Sequence, residues 1–86
     1  MQVSAQVSVY PMGVNDISPA IEAVWGTLEA SGLPFSPGAM STVVEGASER
    51  VFAALQKAFD SVAGAGAAVM VVTVSNACPR QAPESE

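Results

Sequence analysis

Residues 3–10 read Val-Ser-Ala-Gln-Val-Ser-Val-Tyr. Val3, Ala5, Val7 and Val9 fall on one side of an extended chain and Ser4, Gln6, Ser8 and Tyr10 on the other, because strand side chains alternate with a period of two. The stretch is therefore a strand with one apolar face for a core and a polar row left over. Pro11 closes it, since its ring nitrogen has no hydrogen to give to a ladder.

Two amphipathic stretches offer a layer for those valines. After a connection at 12–17 rich in Gly, Asn and Asp, Ser18-Pro19 reads as an N-cap followed by proline in the first helical position. Ile21, Val24, Trp25 and Leu28 then recur at spacings of three and four, one apolar stripe of a helix that Gly32 closes. Trp25 lies on this stripe and reads as core. Ser48 is the next N-cap, with Glu49 beside the positive end of the helix dipole. Val51, Leu55, Ala58, Phe59 and Val62 give that second helix its buried side, and Gly64-Ala65-Gly66 ends it.

The intervening and final segments read as strands. Residues 33–37 carry Pro34 and Pro37 and belong at a sheet edge. Ser41–Glu45 places Thr42 and Val44 on one face and Ser41, Val43 and Glu45 on the other, with Gly46 as its end. Ala68–Ser75 is apolar on both faces. The order strand, helix, strand, strand, helix, strand predicts an α+β, ferredoxin-like βαββαβ sandwich, with two helices on one face of a four-stranded antiparallel sheet. The first strand pairs with the third and the last. Ala5, Val7, Val9, Val44 and Val72 form the core beneath Val24, Leu28, Leu55 and Phe59.

The chain has 86 residues, half of them hydrophobic, which suits one small two-layer domain. Residues 1–76 form that domain and 77–86 a flexible tail. Cys78 stands alone and reads as an incidental thiol. Residues 1–10 alternate instead of forming an apolar run, which argues against a signal peptide, and no stretch is long enough to span a bilayer. A cytoplasmic protein with no membrane partner is the expectation.

Eight acidic and three basic residues give a net charge of -5, and there is no histidine. No basic stripe tracks a phosphate backbone, so nucleic acid is not an expected partner. Without histidine there is no Ser-His-Asp arrangement, and the lone cysteine lacks an activating partner. No close Cys pair offers a metal site, the central strands carry Tyr10 at one end and no further aromatics to stack RNA bases, and the first loop has no arginine cradle. No catalysis, cofactor or metal is expected. Binding of a small neutral or cationic molecule, or a structural or regulatory assembly, remains.

Ser8, Tyr10, Ser41, Thr42, Glu45 and Thr73 lie on strands that neighbour one another, so hydroxyls and a carboxylate stand within one region. Each has an alternative reading. Glu45 is either a ligand contact or an exposed or intersubunit charge, and Tyr10 either caps a pocket or packs at its rim. The helix-free sheet face mixes Val43, Val69 and Val71 with Ser4, Gln6, Ser8, Ser41 and Thr73, a composition suited to contact with another subunit.

Val3-Ser4-Ala5-Gln6-Val7-Ser8-Val9-Tyr10-Pro11-Met12-Gly13, together with residues 31–46 and their Thr42-Val43-Val44-Glu45-Gly46 run, resembles the thiamine-binding protein family, the MTH1187/YkoF-like group. The resemblance covers approximately Val3 to Ser75. It implies a ferredoxin-like domain that pairs through sheet surfaces as a homodimer or homotetramer. It further implies non-enzymatic binding of thiamine or its hydroxymethylpyrimidine portion, with Ser8, Thr42 and Glu45 matching the family's strand motifs. Vitamin carriage, buffering or sensing would follow. The alternative is a regulatory or structural homo-oligomer whose small-molecule site is lost or altered.

Overall fold

A computed structural model describes residues 1–38 and 41–77. Its elements are β1 (Gln2–Pro11), α1 (Ser18–Ser31), β2 (Phe35–Pro37), β3 (Thr42–Ala47), α2 (Ser48–Ala63) and β4 (Ala68–Ser75). The four strands form one sheet in the order β2-β3-β1-β4, every pair antiparallel. The ferredoxin-like arrangement expected from the element order is the one observed. Cys78 and nearly all of the expected tail lie outside the described residues.

β1 is central because only its alternation supplies a continuous apolar face along ten residues. Val3, Ala5, Val7 and Val9 are all buried beneath the helices. Leu28, Val44 and Val51 are the largest side chains with essentially no exposure, and Val24, Leu33, Leu55 and Val62 complete the core. Val72 and Phe59, expected as core, are only partly buried. β4 is an edge strand, so its helix-facing side is incompletely roofed.

The helix starts differ from expectation in a consistent way. Ser18 and Ser48 are the first helical residues and neither caps with its side chain; Ile17 and Ala47 hold the N-cap positions. At α1 the Asp16 carboxylate does the capping, accepting the Ser18 N–H at 3.0 Å. At α2 the Ser48 N–H is taken by the Met1 carbonyl at 2.8 Å, so the residue just before β1 caps the second helix. α1 ends as its sequence requires, on Gly32 with φ of 77°. Arg50 reaches across from α2 and donates to the Ser31 carbonyl at 2.9 Å, placing a cation at the negative end of α1.

The Ser18 backbone N–H and then its hydroxyl hold the Asp16 carboxyl below its ordinary value of 3.8. A lowered folded-state pKa contributes stability above the unfolded value, and that contribution is lost as pH falls through the folded value. NMR titration of this side chain is expected to give a midpoint below 3.8, and a midpoint at or above it would rule out the cap.

Gly46 does not end β3 but lies inside it, buried and opposite Val3. The strand runs on to Ala47 because Leu33 packs over Gly46 where a side chain would stand. A Cβ there would lie 2.7 Å from Leu33 Cδ2.

Candidate functional site

The strand register leaves a notch. β1 pairs with β3 from Gln2↔Ala47 to Val7↔Thr42, whereas its pairing with β4 continues to Pro11↔Ala68. The last turnings of β1, Ser8 to Tyr10, therefore project past the described start of β3. In an antiparallel ladder backbone groups point alternately to the two neighbours, and Val9 directs its N–H and C=O to the β3 side. The N-terminal half of α1 covers the notch from the helix side, bringing Ile17, Ile21 and Trp25 over it.

The cavity so formed has a volume of about 320 Å³ and is lined by side chains that include Trp25, Ser8, Tyr10, Ser41 and Thr42. Ligand pockets run from roughly 300 to 1,000 Å³, so this one suits a molecule of one or two small rings. Its walls are mainly aliphatic and aromatic, with hydroxyls at a few points. Trp25 Nε1–H donates to Thr42 Oγ1 at 3.1 Å, which fixes the indole plane and leaves the Thr42 hydroxyl one hydrogen and one lone pair. Thr42 is the one buried polar residue in the described core, 7% exposed, and the tryptophan satisfies it as burial demands. Gln6 Nε2 donates to Ser41 Oγ at 2.9 Å and steadies the opposite rim.

Substituting valine for Thr42 keeps the shape but removes the acceptor. The Trp25 N–H loses its partner, at a cost of about 1–2 kcal/mol, which urea denaturation would measure. A change below about 0.3 kcal/mol would show that the bond contributes nothing to stability.

Four of the six residues expected from the sequence thus meet at one cavity. Glu45 and Thr73 do not. Glu45 stands opposite Ser4 and Thr73 opposite Gln6, on the sheet face that carries no helix. Glu45 is four residues along β3 from Ser41, roughly 13 Å at the strand rise. Within the cavity, Thr42 enters from the helix side of the sheet and Ser8 and Tyr10 from the other. Trp25, Ile17 and Ile21 are lining residues that the sequence reading assigned to core or connection. The signal that could have found Trp25 is an indole N–H at the edge of an apolar stripe, which needs a partner whenever it is half-buried.

Two other depressions offer less. One, about 240 Å³, lies among the loops flanking α1 and α2, and its only carboxylate, Asp16, is bonded to Ser18. The other is a groove between the helices floored by alanines and a glycine, whose Arg50 is bonded to Ser31. Among the described residues no group of three or more acidic, Cys or His side chains is placed to hold a metal.

The family model for thiamine-binding proteins matches residues 5–77. The chain belongs to the thiamine-binding protein family. Membership makes it a binding protein rather than an enzyme. No curated protein matches it. Among solved structures, hypothetical protein MJ1052 from Methanocaldococcus jannascii superposes with a TM-score of 0.82 at 23% identity, covering 99% of this chain and 87% of that one. A domain of unknown function, DUF77, from Bacillus cereus gives 0.78 at 23% identity over 87% of this chain and 75% of that one. A protein described as a putative thiamine biosynthesis/salvage protein, TM0486 from Thermotoga maritima, gives 0.76 at 18% identity over 86% and 82%. At these identities the likeness to the three solved structures is one of fold. No helix among the described residues is long and apolar enough to cross a membrane.

Proposed function

We propose that this protein binds thiamine, or its hydroxymethylpyrimidine portion, in the notch between β1, α1 and the start of β3. The observation that carries the reading is the fixed indole of Trp25 beside three further hydroxyl-bearing residues and Thr42 in one cavity of about 320 Å³. An aminopyrimidine has donors and acceptors on one edge and an aromatic face on the other. Hydroxyls can serve both kinds of edge group, and Trp25 offers a face for the ring. The thiazolium cation of thiamine is favoured by the same indole and by the net charge of -5. Vitamin carriage, buffering or sensing in the cytoplasm are the roles this chemistry permits, with residues 1–76 as the binding unit.

Trp25 is the chain's only tryptophan, so its fluorescence reports on the cavity directly. Titration with thiamine and, separately, hydroxymethylpyrimidine is expected to quench it in a saturable way, with calorimetry giving the same constants. Absence of any heat or quenching at about 1 mM, equivalent to roughly -4 kcal/mol, would sink the proposal.

A second reading is favoured by the helix-free sheet face. Val69 and Val71 are 46% and 53% exposed there, alongside Val43, Glu45 and Thr73. On this reading the protein is a homodimer or homotetramer with a structural or regulatory role, and Glu45 and Thr73 contact a neighbouring subunit rather than a ligand.

A further inference from the structure

Ile17 both lines the cavity and holds the N-cap position of α1, so the start of that helix stands at the cavity's edge. A helix start is a ready-made seat for a phosphate, because its N–H groups and its dipole both favour an anion. Here the seat is already taken. The Ser18 N–H donates to the Asp16 carboxylate at 3.0 Å, Pro19 has no N–H to give, and the Ile21 N–H donates to the Ile17 carbonyl at 3.0 Å. The anion at the positive end of α1 is therefore the protein's own. The Ser18 N–H holds the Asp16 carboxyl below its ordinary value of 3.8, so it is charged at neutral pH.

The cations stand elsewhere. Among the described residues, the cavity lining includes no Lys or Arg. Arg50 and Lys57 both line the groove between the helices, which α1 borders with Ala23, Gly26, Thr27 and Ala30. At 3.6 residues per turn, those positions fall on the side of α1 opposite Trp25. Arg50 is further tied to the Ser31 carbonyl at 2.9 Å. The remaining cation, Arg80, follows Ala77 in sequence, past the end of β4 that pairs with Ser4. The cavity is at the other end of that strand, where Tyr10 pairs with Val69, roughly 20 Å away at the strand rise.

We propose that the cavity selects the unphosphorylated ligand, and that Asp16 is the residue that turns phosphate esters away. The proposal rests on the reading that thiamine or hydroxymethylpyrimidine binds there, and it narrows the ligand class to the free alcohol. Both molecules carry a hydroxyl that can bear phosphate, and a monoester adds a charge of about -1.5 to -2 at neutral pH. At the cavity's edge that charge would meet the Asp16 carboxylate, one residue of about 3.8 Å along the chain from Ile17. It would also enter the field of a chain with a net charge of -5, with no cation beside it. Charges within about 8–10 Å are not fully screened at physiological ionic strength, so the ester is repelled where the alcohol is not.

Calorimetry on the full chain with thiamine, thiamine monophosphate, hydroxymethylpyrimidine and hydroxymethylpyrimidine monophosphate tests this. Each ester is expected to bind at least about tenfold more weakly than its parent alcohol at low salt, with the gap narrowing as salt is raised. Asp16→Asn keeps a side-chain oxygen for the Ser18 N–H and removes the charge. It is expected to strengthen both esters by about three- to tenfold and to leave neutral hydroxymethylpyrimidine within about twofold of wild type. A merely structural role for Asp16 would move alcohol and ester together. Esters that bind as tightly as the alcohols overturn this proposal and leave the thiamine reading standing. Discrimination that Asp16→Asn does not relax overturns the role given to Asp16. Absence of binding by all four ligands overturns both readings.

Discussion

If the proposed site is correct, replacement of Trp25 by alanine is expected to lower the affinity for thiamine and for hydroxymethylpyrimidine by at least about tenfold, equivalent to roughly 1.4 kcal/mol. The effect has two sources. An aromatic pair contributes about 0.5–1.5 kcal/mol beyond area burial, and a cation over an indole about 0.5–2 kcal/mol. The substitution also removes the donor that bonds Thr42 Oγ1 at 3.1 Å, freeing that hydroxyl to turn away from the ligand. Trp25→Phe separates the two contributions, since it keeps an aromatic face and loses the N–H. It is expected to bind hydroxymethylpyrimidine within a few-fold of wild type and to lose more of the affinity for the cationic ligand, because phenylalanine is the weaker cation–π partner. Calorimetry with both ligands measures this. Wild-type affinity in a folded Trp25→Ala variant would place the ligand elsewhere in the molecule.

The second large effect is on stability. Gly46→Ala is expected to destabilise the fold by about 2–4 kcal/mol, the sum of overpacking a core and imposing an unfavourable backbone angle. The new methyl would stand 2.7 Å from Leu33 Cδ2 at a φ of 155°. Leu33 is 5% exposed, so its side chain cannot swing into water to make room. Most small domains have only about 5–15 kcal/mol in hand, and a loss of this size is readily seen in urea or heat. A double-mutant cycle isolates the cause. In a Leu33→Ala background the steric part of the cost disappears, and the two substitutions couple by about 1–2 kcal/mol. Strict additivity would show that the backbone angle alone sets the penalty.

Much of this fold is legible in the sequence itself. The alternation of residues 3–10 assigns Val3, Ala5, Val7 and Val9 to the core because a period of two leaves no other arrangement. The stripe through Val24 and Leu28 marks α1 in the same way. Local patterns of this kind report on side-chain direction, which the backbone of a single element dictates. The helix caps were less legible. A serine before a proline reads as an N-cap, but Asp16 two residues earlier accepts the Ser18 N–H instead, and the Met1 carbonyl serves Ser48. The second of these partners is 47 residues away, beyond any local signal.

The candidate site shows the same division. Sequence alone placed Ser8, Tyr10, Ser41 and Thr42 near one another, and the parity of positions already separated Thr42 from Glu45 across the sheet. It also determined the order of the elements, the family resemblance and the acidic character that favours a cationic ligand. Only the tertiary structure decided that β1 outruns its pairing with β3 at Val7, that α1 roofs the gap so formed, and that Trp25 belongs to its wall as much as to the core. Strand register and overlap are set by contacts between segments far apart in the chain, so they are written in no single stretch of it.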